Sequence, residues 1–275
     1  MKRTFFFPRT VGRGLVYLAA ALIALWILIP IYLITVAAFS PKEAIYNWPK
    51  GLLPHTVSLE TLLFFIKAQY VLPSLRNSVV VAVLTMVAST VIGAPAGYAL
   101  ARYIFQGKDA YRIMILSTRA FPIVILSIPL AVTFIHWGLY DSLISVAILH
   151  TAMALPTTVL VTSSVFVGVS RELEEAATVF GCNRMQAFIR VALPLALPGL
   201  AASAIFAFVL SWNEVFAATI LTLQNRTFPA RLFIQLSASP LPFRFAGGFF
   251  ILVPAVLFMF FIRRYLFSLW GITLK

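Results

Sequence analysis

Acidic side chains are scarce in this sequence and concentrated in one place. Asp and Glu supply 8 of 275 residues against 21 Lys and Arg, and Glu172, Glu174 and Glu175 stand almost side by side in the stretch 170–199, SRELEEAATVFGCNRMQAFIRVALPLALPG. With Arg171, Arg184 and Arg190 they form a charged island between two long apolar runs. Charges are costly at bilayer depth, so the island is expected at a membrane surface, with a structure of its own and a surface suited to touching a partner. Two further ionisable residues, Arg119 and Glu214, fall inside apolar runs, where such a side chain is a functional candidate by default. Beside Glu214, Trp212 offers an aromatic face and Asn213 an amide, groups that suit the C–H surface and the hydroxyls of a sugar and equally suit packing between helices. His136 and His150 stand near the ends of apolar runs, away from ligand spacing, and read as interfacial or hydrogen-bonded bystanders. The single Cys182 excludes an intramolecular disulfide and fits no metal-site spacing. There is no G-x-x-x-x-G-K-[ST] phosphate loop, no H-E-x-x-H, no G-x-S-x-G and no carboxylate pair within an apolar run. The chain is therefore expected to hold no catalytic residue, no metal and no nucleotide.

The elements that carry these residues are set by composition. Hydrophobic residues make up 61% of the chain and charged residues 11%, with a mean hydropathy of +0.99, against about 25% charged residues in a soluble domain. A spanning helix needs about 20 mostly apolar residues. Six such runs occur: Leu15–Phe39, Ser78–Ala101, Ile113–Leu139, Leu143–Val169, Leu200–Leu223 and Phe245–Phe261. The predicted fold is an all-α integral membrane protein of six transmembrane helices. A tail at 1–14 precedes a retained first helix at 15–39, whose apolar run is too long for a cleaved signal peptide. An external segment occupies 40–77, a core transmembrane domain 78–262 contains the cytoplasmic loop 170–199, and a second tail occupies 263–275. Pro95, Pro122, Pro129, Pro156 and Pro254 fall inside spans, where neighbouring helices and Ser/Thr side chains can re-satisfy freed carbonyls; they are expected to mark kinks and are candidates to line a cavity.

Orientation follows from Lys and Arg placement. Thirteen lie on one side (Lys2, Arg3, Arg9, Arg13, Arg102, Lys108, Arg112, Arg171, Arg184, Arg190, Arg263, Arg264, Lys275) and seven on the other (Lys42, Lys50, Lys67, Arg76, Arg226, Arg231, Arg244). The richer side is expected to be cytoplasmic, which places both termini and the island there and leaves the segments 40–77 and 224–244 outside for an external partner. The net charge of +13 is dispersed in gaps between spans, a pattern that orients a membrane protein and is not a nucleic-acid footprint. At about 1.5 Å per residue, a straight helix places Arg119 roughly 10 Å and Glu214 roughly 20 Å from the cytoplasmic surface.

Within the island, Arg171–Phe180 is predicted as a short helix with Ser170 as N-cap, Glu172 and Glu174 at its positive end and Gly181 as its stop. A second helix, Arg184–Ala192, carries Phe188 and Val191 on one face, and Pro194 and Pro198 are expected to end regular structure before a span begins near Gly199. Alone, Glu175 reads as a solvated helix charge. The combination Glu175-Ala176-Ala177, then Gly181, then Leu193-Pro194 resembles the EAA loop of bacterial ABC-importer permeases. Leu75-Arg76-Asn77-Ser78 with Gly97-Tyr98-Ala99-Leu100-Ala101-Arg102 is similar to the start of that family's core, and Trp212-Asn213-Glu214 is similar to its WN-E/D signature. The resemblance covers roughly Asn77 to Gly271 and is closest to the smaller permease of maltose-type, carbohydrate-uptake heterodimers. Phe180, where that family commonly has Asp, and Cys182, where Ala is usual, depart from the pattern.

The resemblance implies the type I ABC-importer permease fold, with Glu175, Ala176, Ala177, Gly181, Leu193 and Pro194 as a coupling loop that docks on a cytoplasmic ATPase. It implies a second, homologous permease, two copies of the ATP-binding subunit carrying MgATP, and an external solute-binding protein, in a bacterial or archaeal inner membrane. Trp212, Asn213, Glu214 and Arg119 become candidates for the translocation path. A neutral sugar or sugar alcohol is the expected solute, with glycerol phosphate or another small polar solute as the alternative. An ion-gradient-driven secondary transporter is the competing class, and it would want paired intramembrane acids or visible repeats.

Overall fold

The computed structural model describes residues 9–47, 53, 56–235 and 238–269. Parts of the expected tails and of the outer segments, at 1–8, 48–52, 54–55, 236–237 and 270–275, lie outside the described residues. Among the described residues every regular element is helical: α1 (Arg9–Ala38), α2 (Lys42–Tyr46), α3 (Glu60–Lys67), α4 (Val71–Arg102), α5 (Lys108–Ser117), α6 (Ile123–His136), α7 (Leu143–Val167), α8 (Arg171–Val179), α9 (Arg184–Ala187), α10 (Leu193–Asn213), α11 (Phe216–Leu221), α12 (Phe228–Gln235) and α13 (Leu241–Leu269). Four helical stretches are long and apolar enough to cross a membrane: Arg13–Ala38, Val71–Arg102, Leu143–Val167 and Arg184–Asn213. A bent pair, Lys108–Ala120 with Ile123–His136, makes a fifth, and α13 opens with the apolar stretch Leu241–Leu257. The chain is a multi-pass, all-α membrane protein, as its composition requires.

Three expectations change. The third span, Ile113–Leu139, is kinked at its proline as expected, its halves meeting at 83°, but this changes the depth of Arg119. The residue before a proline is pushed out of the helical region, and Phe121, ahead of Pro122, is extended at φ −75°, ψ 120°. Ser117 and Thr118 hydroxyls donate to the Ile113 and Ile115 carbonyls at 2.9 and 2.6 Å, covering acceptors at the end of α5. The depth of Arg119 counted along a straight helix therefore does not hold. The fifth span is not continuous over Leu200–Leu223 but breaks at Glu214 and Val215 into α10 and α11. Pro194 and Pro198 do not stop the island: α9 passes through a π turn, Phe188–Ala192, straight into α10. A proline is tolerated in a helix's first turn, where its missing N–H has no intrahelical partner, and the widened turn puts Pro194 there.

The described chain divides into two units. One comprises α1 to α3 and the opening turns of α13, 239–252. In it Phe65 meets Phe243 and stacks on Phe250 at 4.5 and 5.4 Å between ring centroids, and Phe39 meets Phe249 edge-on at 5.0 Å. The other, 68–238 with 253–275, holds the island and the core.

In the second unit α4 lies directly against α7. Lipid tails are as apolar as leucine, so membrane helices associate through close packing and small residues. The buried face of α4 carries Ser74, Ser78, Ala82, Thr85, Ser89, Gly93 and Gly97 at helical spacing. A Cβ on Gly97 would stand 2.9 Å from the Val159 carbonyl and 2.8 Å from the Ser163 nitrogen, and one on Gly93 would stand 2.6 Å from the Thr158 methyl. The Thr162 hydroxyl crosses the interface to the Gly93 carbonyl at 3.0 Å. A Cβ on Gly14, by contrast, meets nothing within 4 Å. Gly97→Ala is expected to cost about 1–3 kcal/mol through overpacking against backbone, and Gly14→Ala next to nothing. Thermal unfolding of both variants in detergent checks this, and equal midpoints would contradict the packing argument.

Candidate functional site

The island is anchored to the bundle by a carboxylate, and it is not the one singled out in the sequence. Glu174 is buried, whereas the side chain of its neighbour Glu175 is 66% exposed. Successive residues on a helix point about 100° apart, so one faces α4 and the other faces away. Tyr98 donates its phenolic hydrogen to Glu174 Oε2 at 2.6 Å. Arg102, one turn further along α4, donates from Nε to Glu174 Oε1 at 2.7 Å and from Nη2 to the Val169 carbonyl at 2.9 Å. The guanidinium therefore joins the end of α4, the exit of α7 and the first turn of α8. The Tyr98 ring packs on Phe166 and Phe188 at 5.3 and 4.5 Å between centroids. Phe188 belongs to the π turn, so that turn is fixed to the same centre.

The ends of the two island helices are defined by side-chain and backbone chemistry. Ser170 occupies the N-cap position of α8, but its side chain makes no cap hydrogen bond. Asn183 does cap α9, in a reciprocal box with Gln186 at 2.8 and 2.9 Å. Gly181 is left-handed at φ +88°. The Gly181 amide bonds the Thr178 carbonyl and the Cys182 amide bonds the Ala177 carbonyl, each at 3.0 Å, the pairing that closes a helix at a C′ glycine. The closure leaves an apolar tip, with Val179 85% and Phe180 89% exposed. Arg171 and Glu175 pair across one turn at 3.3 Å on the exposed face. Ala176 and Pro194 are exposed, Ala177 and Leu193 half-buried. Between α4, α8 and α9 lies a cavity of ≈380 Å³ bordered by Tyr98, Arg102, Arg171, Glu174, Glu175 and Arg184.

The four membrane candidates do not gather in one place. Trp212 is buried, stacked on Phe208 and packed with Ala82, Leu75 and Met86, so it serves the contact of α10 with α4. Asn213 is exposed and donates back to the Val209 carbonyl at 3.0 Å. Arg119 is exposed at the bend between α5 and α6. Glu214 is buried: its oxygens accept the Ala217 and Ala218 amides at 2.8 and 3.1 Å, and His150 Nε2 stands 3.0 Å from Oε2. His150, expected as a bystander, is fully buried and bridges Glu214 to Ser211. The signal was present in the sequence, since an imidazole in an apolar run is as costly as any other polar group there. None of the four borders the ≈680 Å³ apolar cavity between α4, α5 and α7.

At the far end of the bundle Asp141 was also missed. It adopts φ +58°, and its Oδ1 accepts the amides of Leu223, Gln224 and Asn225 at 2.8, 3.0 and 3.0 Å. That tie fastens the α6–α7 turn to the segment after α11.

The bundle and its island define a class. Over 95% of this chain and 99% of the other, the fold superposes with a TM-score of 0.75 and 21% identity on a chain of a bacterial ABC transporter that imports the acidic polysaccharide alginate; it is the fold of an ABC-importer permease. Residues 89–269 match the model of the binding-protein-dependent transport system inner membrane component, and the chain belongs to that family. It is 30% identical over 215 residues to the diacetylchitobiose uptake system permease protein DasC of Streptomyces coelicolor, covering 78% of this chain and 76% of that one. It is 29% identical over 243 residues to the trehalose transport system permease protein SugB of Mycobacterium tuberculosis, covering 86% and 88%. The chain is thus a multi-pass membrane permease of a bacterial ABC importer for sugar uptake.

Removing one partner of a buried ion pair leaves an uncompensated charge and costs about 3–5 kcal/mol. Glu174→Ala is expected to destabilise the protein on that scale and to raise amide exchange through α8, with Tyr98→Phe costing less. Hydrogen exchange across 170–199 measures it, and protection equal to wild type in Glu174→Ala would refute the anchor.

Proposed function

We propose that this chain pairs with a second, homologous permease to form the path for a neutral sugar or sugar alcohol, handed over by an external solute-binding protein. Energy comes from two copies of a cytoplasmic ATP-binding subunit, which carry the MgATP; this chain binds no cofactor and catalyses no reaction. Both termini face the cytoplasm. The observation that carries the reading is the island's two-sided build. One side of α8 is tied into the bundle through Glu174, while the other presents the Arg171–Glu175 pair and the exposed Val179 and Phe180 to a partner. Exposed apolar side chains clustered at the rim of a polar surface mark interaction sites. A partner that moves α8 pulls on Arg102 and Tyr98, and through them on α4 and the π turn that begins α10. Closing of the ATPase dimer thereby tilts the bundle toward the outside-open state, and hydrolysis returns it.

The solute class is supported by the relatives, named for diacetylchitobiose and trehalose, and by the scarcity of fixed charge in the spans. In this reading Trp212, Asn213, Glu214 and Arg119 belong to the translocation path; Trp212 and Glu214 are buried, Asn213 and Arg119 exposed.

The test is reconstitution. The tagged chain, drawn from its native membrane in mild detergent, is expected to bring an ATPase and a second permease with it, and its ATP hydrolysis should rise with sugar-loaded binding protein. Glu175→Lys is expected to insert and fold as wild type, because the residue is exposed, yet to lose the ATPase subunit or uncouple hydrolysis from uptake. Normal sugar uptake by Glu175→Lys would sink the coupling assignment.

A further inference from the structure

We infer that His150 is a positioning residue for transport: from α7, its imidazole holds the break between α10 and α11 in shape by way of Glu214. The inference rests on the permease reading above. Glu214 ends α10 in an extended conformation, φ −75°, ψ 131°, and Val215 then leads into α11. The carboxylate sits at the joint, 8% exposed. It accepts two amides from the first turn of α11, which leaves part of its capacity of about four lone pairs unmet. The third donor is His150 Nε2 at 3.0 Å. An ionised carboxylate can only accept, so Nε2 carries the hydrogen. His150 Nδ1 faces Ser211 Oγ at 2.8 Å, in the last turn of α10. One ring on α7 therefore touches both the hydroxyl before the break and the acid that caps α11 beyond it.

The ring is 0% exposed, so water does not substitute for it. A leucine of similar size would pack between apolar helices at lower desolvation cost; the imidazole supplies what leucine lacks, a donor aimed at Glu214. Beyond the break, α11 contacts α6, α7 and α12, whereas α10 continues directly from the island. Motion delivered to the island through α8 and the π turn reaches α11 along this joint, and a loose joint absorbs it.

The test uses the assembled complex in lipid, with ATP hydrolysis read with and without sugar-loaded binding protein. His150→Leu is expected to keep the basal rate while the stimulation ratio falls about tenfold, the scale of one lost charge-assisted hydrogen bond. His150→Gln, whose amide N–H still reaches toward Glu214, is expected to recover most of the ratio. A purely structural role would lower assembly and both rates together. A wild-type ratio in His150→Leu, or a glutamine variant as defective as the leucine one, overturns the inference. If His150→Leu does not assemble, Ser211→Ala removes only the Nδ1 contact; a partial fall in the ratio at unchanged basal rate supports the inference, and a wild-type ratio overturns it. A wild-type complex that hydrolyses ATP but ignores every loaded binding protein defeats the permease reading itself, and is distinguished before any variant is made.

Discussion

Backbone polar groups in a hydrocarbon layer have no water to turn to, so each break in a helix must be closed by another group of the protein. Much of the detail in this chain stems from that constraint. Where Pro122 bends the third span, Ser117 and Thr118 hydroxyls turn back onto carbonyls. At the break in the fifth, Glu214 takes the first amides of α11. Where α11 ends, Asp141 gathers three consecutive amides from the next segment of chain. In the island the same need is met by a glycine turn at Gly181 and an asparagine box at Asn183. The polar residues that look costly in so apolar a chain are, in large part, those that make irregular backbone tolerable.

Polar closure and close packing work together. The α4–α7 interface is rich in glycine, serine and threonine, which lets two backbones approach until a hydroxyl on one reaches a carbonyl of the other. Large apolar side chains point the other way in number, toward whatever surrounds the bundle. Bulk such as Phe134, Phe166 and Trp212 is buried too, but a lipid solvent exerts no hydrophobic drive between helices.

Span existence, the all-α class and the helix–turn–helix of the island are legible in the sequence because run length and caps are local signals. The features that escape it are long-range or geometric. Glu174 and Glu175 are alike as letters, and only the facing of α8 onto Tyr98 and Arg102, more than 70 residues earlier, decides which is buried. Tyr98 and Arg102, one turn apart on α4, are the available hint. Proline is legible at Pro122, which breaks a span as a proline inside an apolar run suggests, and misleads at Pro194 and Pro198, which ride inside a helix, since the outcome depends on which neighbouring groups take over the lost bond. His150 reads as a bystander when span ends are counted along the sequence, whereas its partners, Ser211 and Glu214, come from another helix.

The length of α4 has a consequence of its own. Its 32 residues make a rod of about 48 Å at 1.5 Å per residue, in a hydrocarbon layer about 30 Å thick. Both ends are tied. Asn77 Nδ2 reaches the Arg226 carbonyl at 3.2 Å and Ser78 Oγ takes the Phe228 amide at 2.7 Å near one end, while Arg102 holds Val169 and Glu174 at the other. A rod longer than its layer must lean or protrude, and one pinned at both ends cannot do so without carrying both attachments along. Bilayer thickness thereby becomes a mechanical input to this protein, felt at its two surfaces through a single helix.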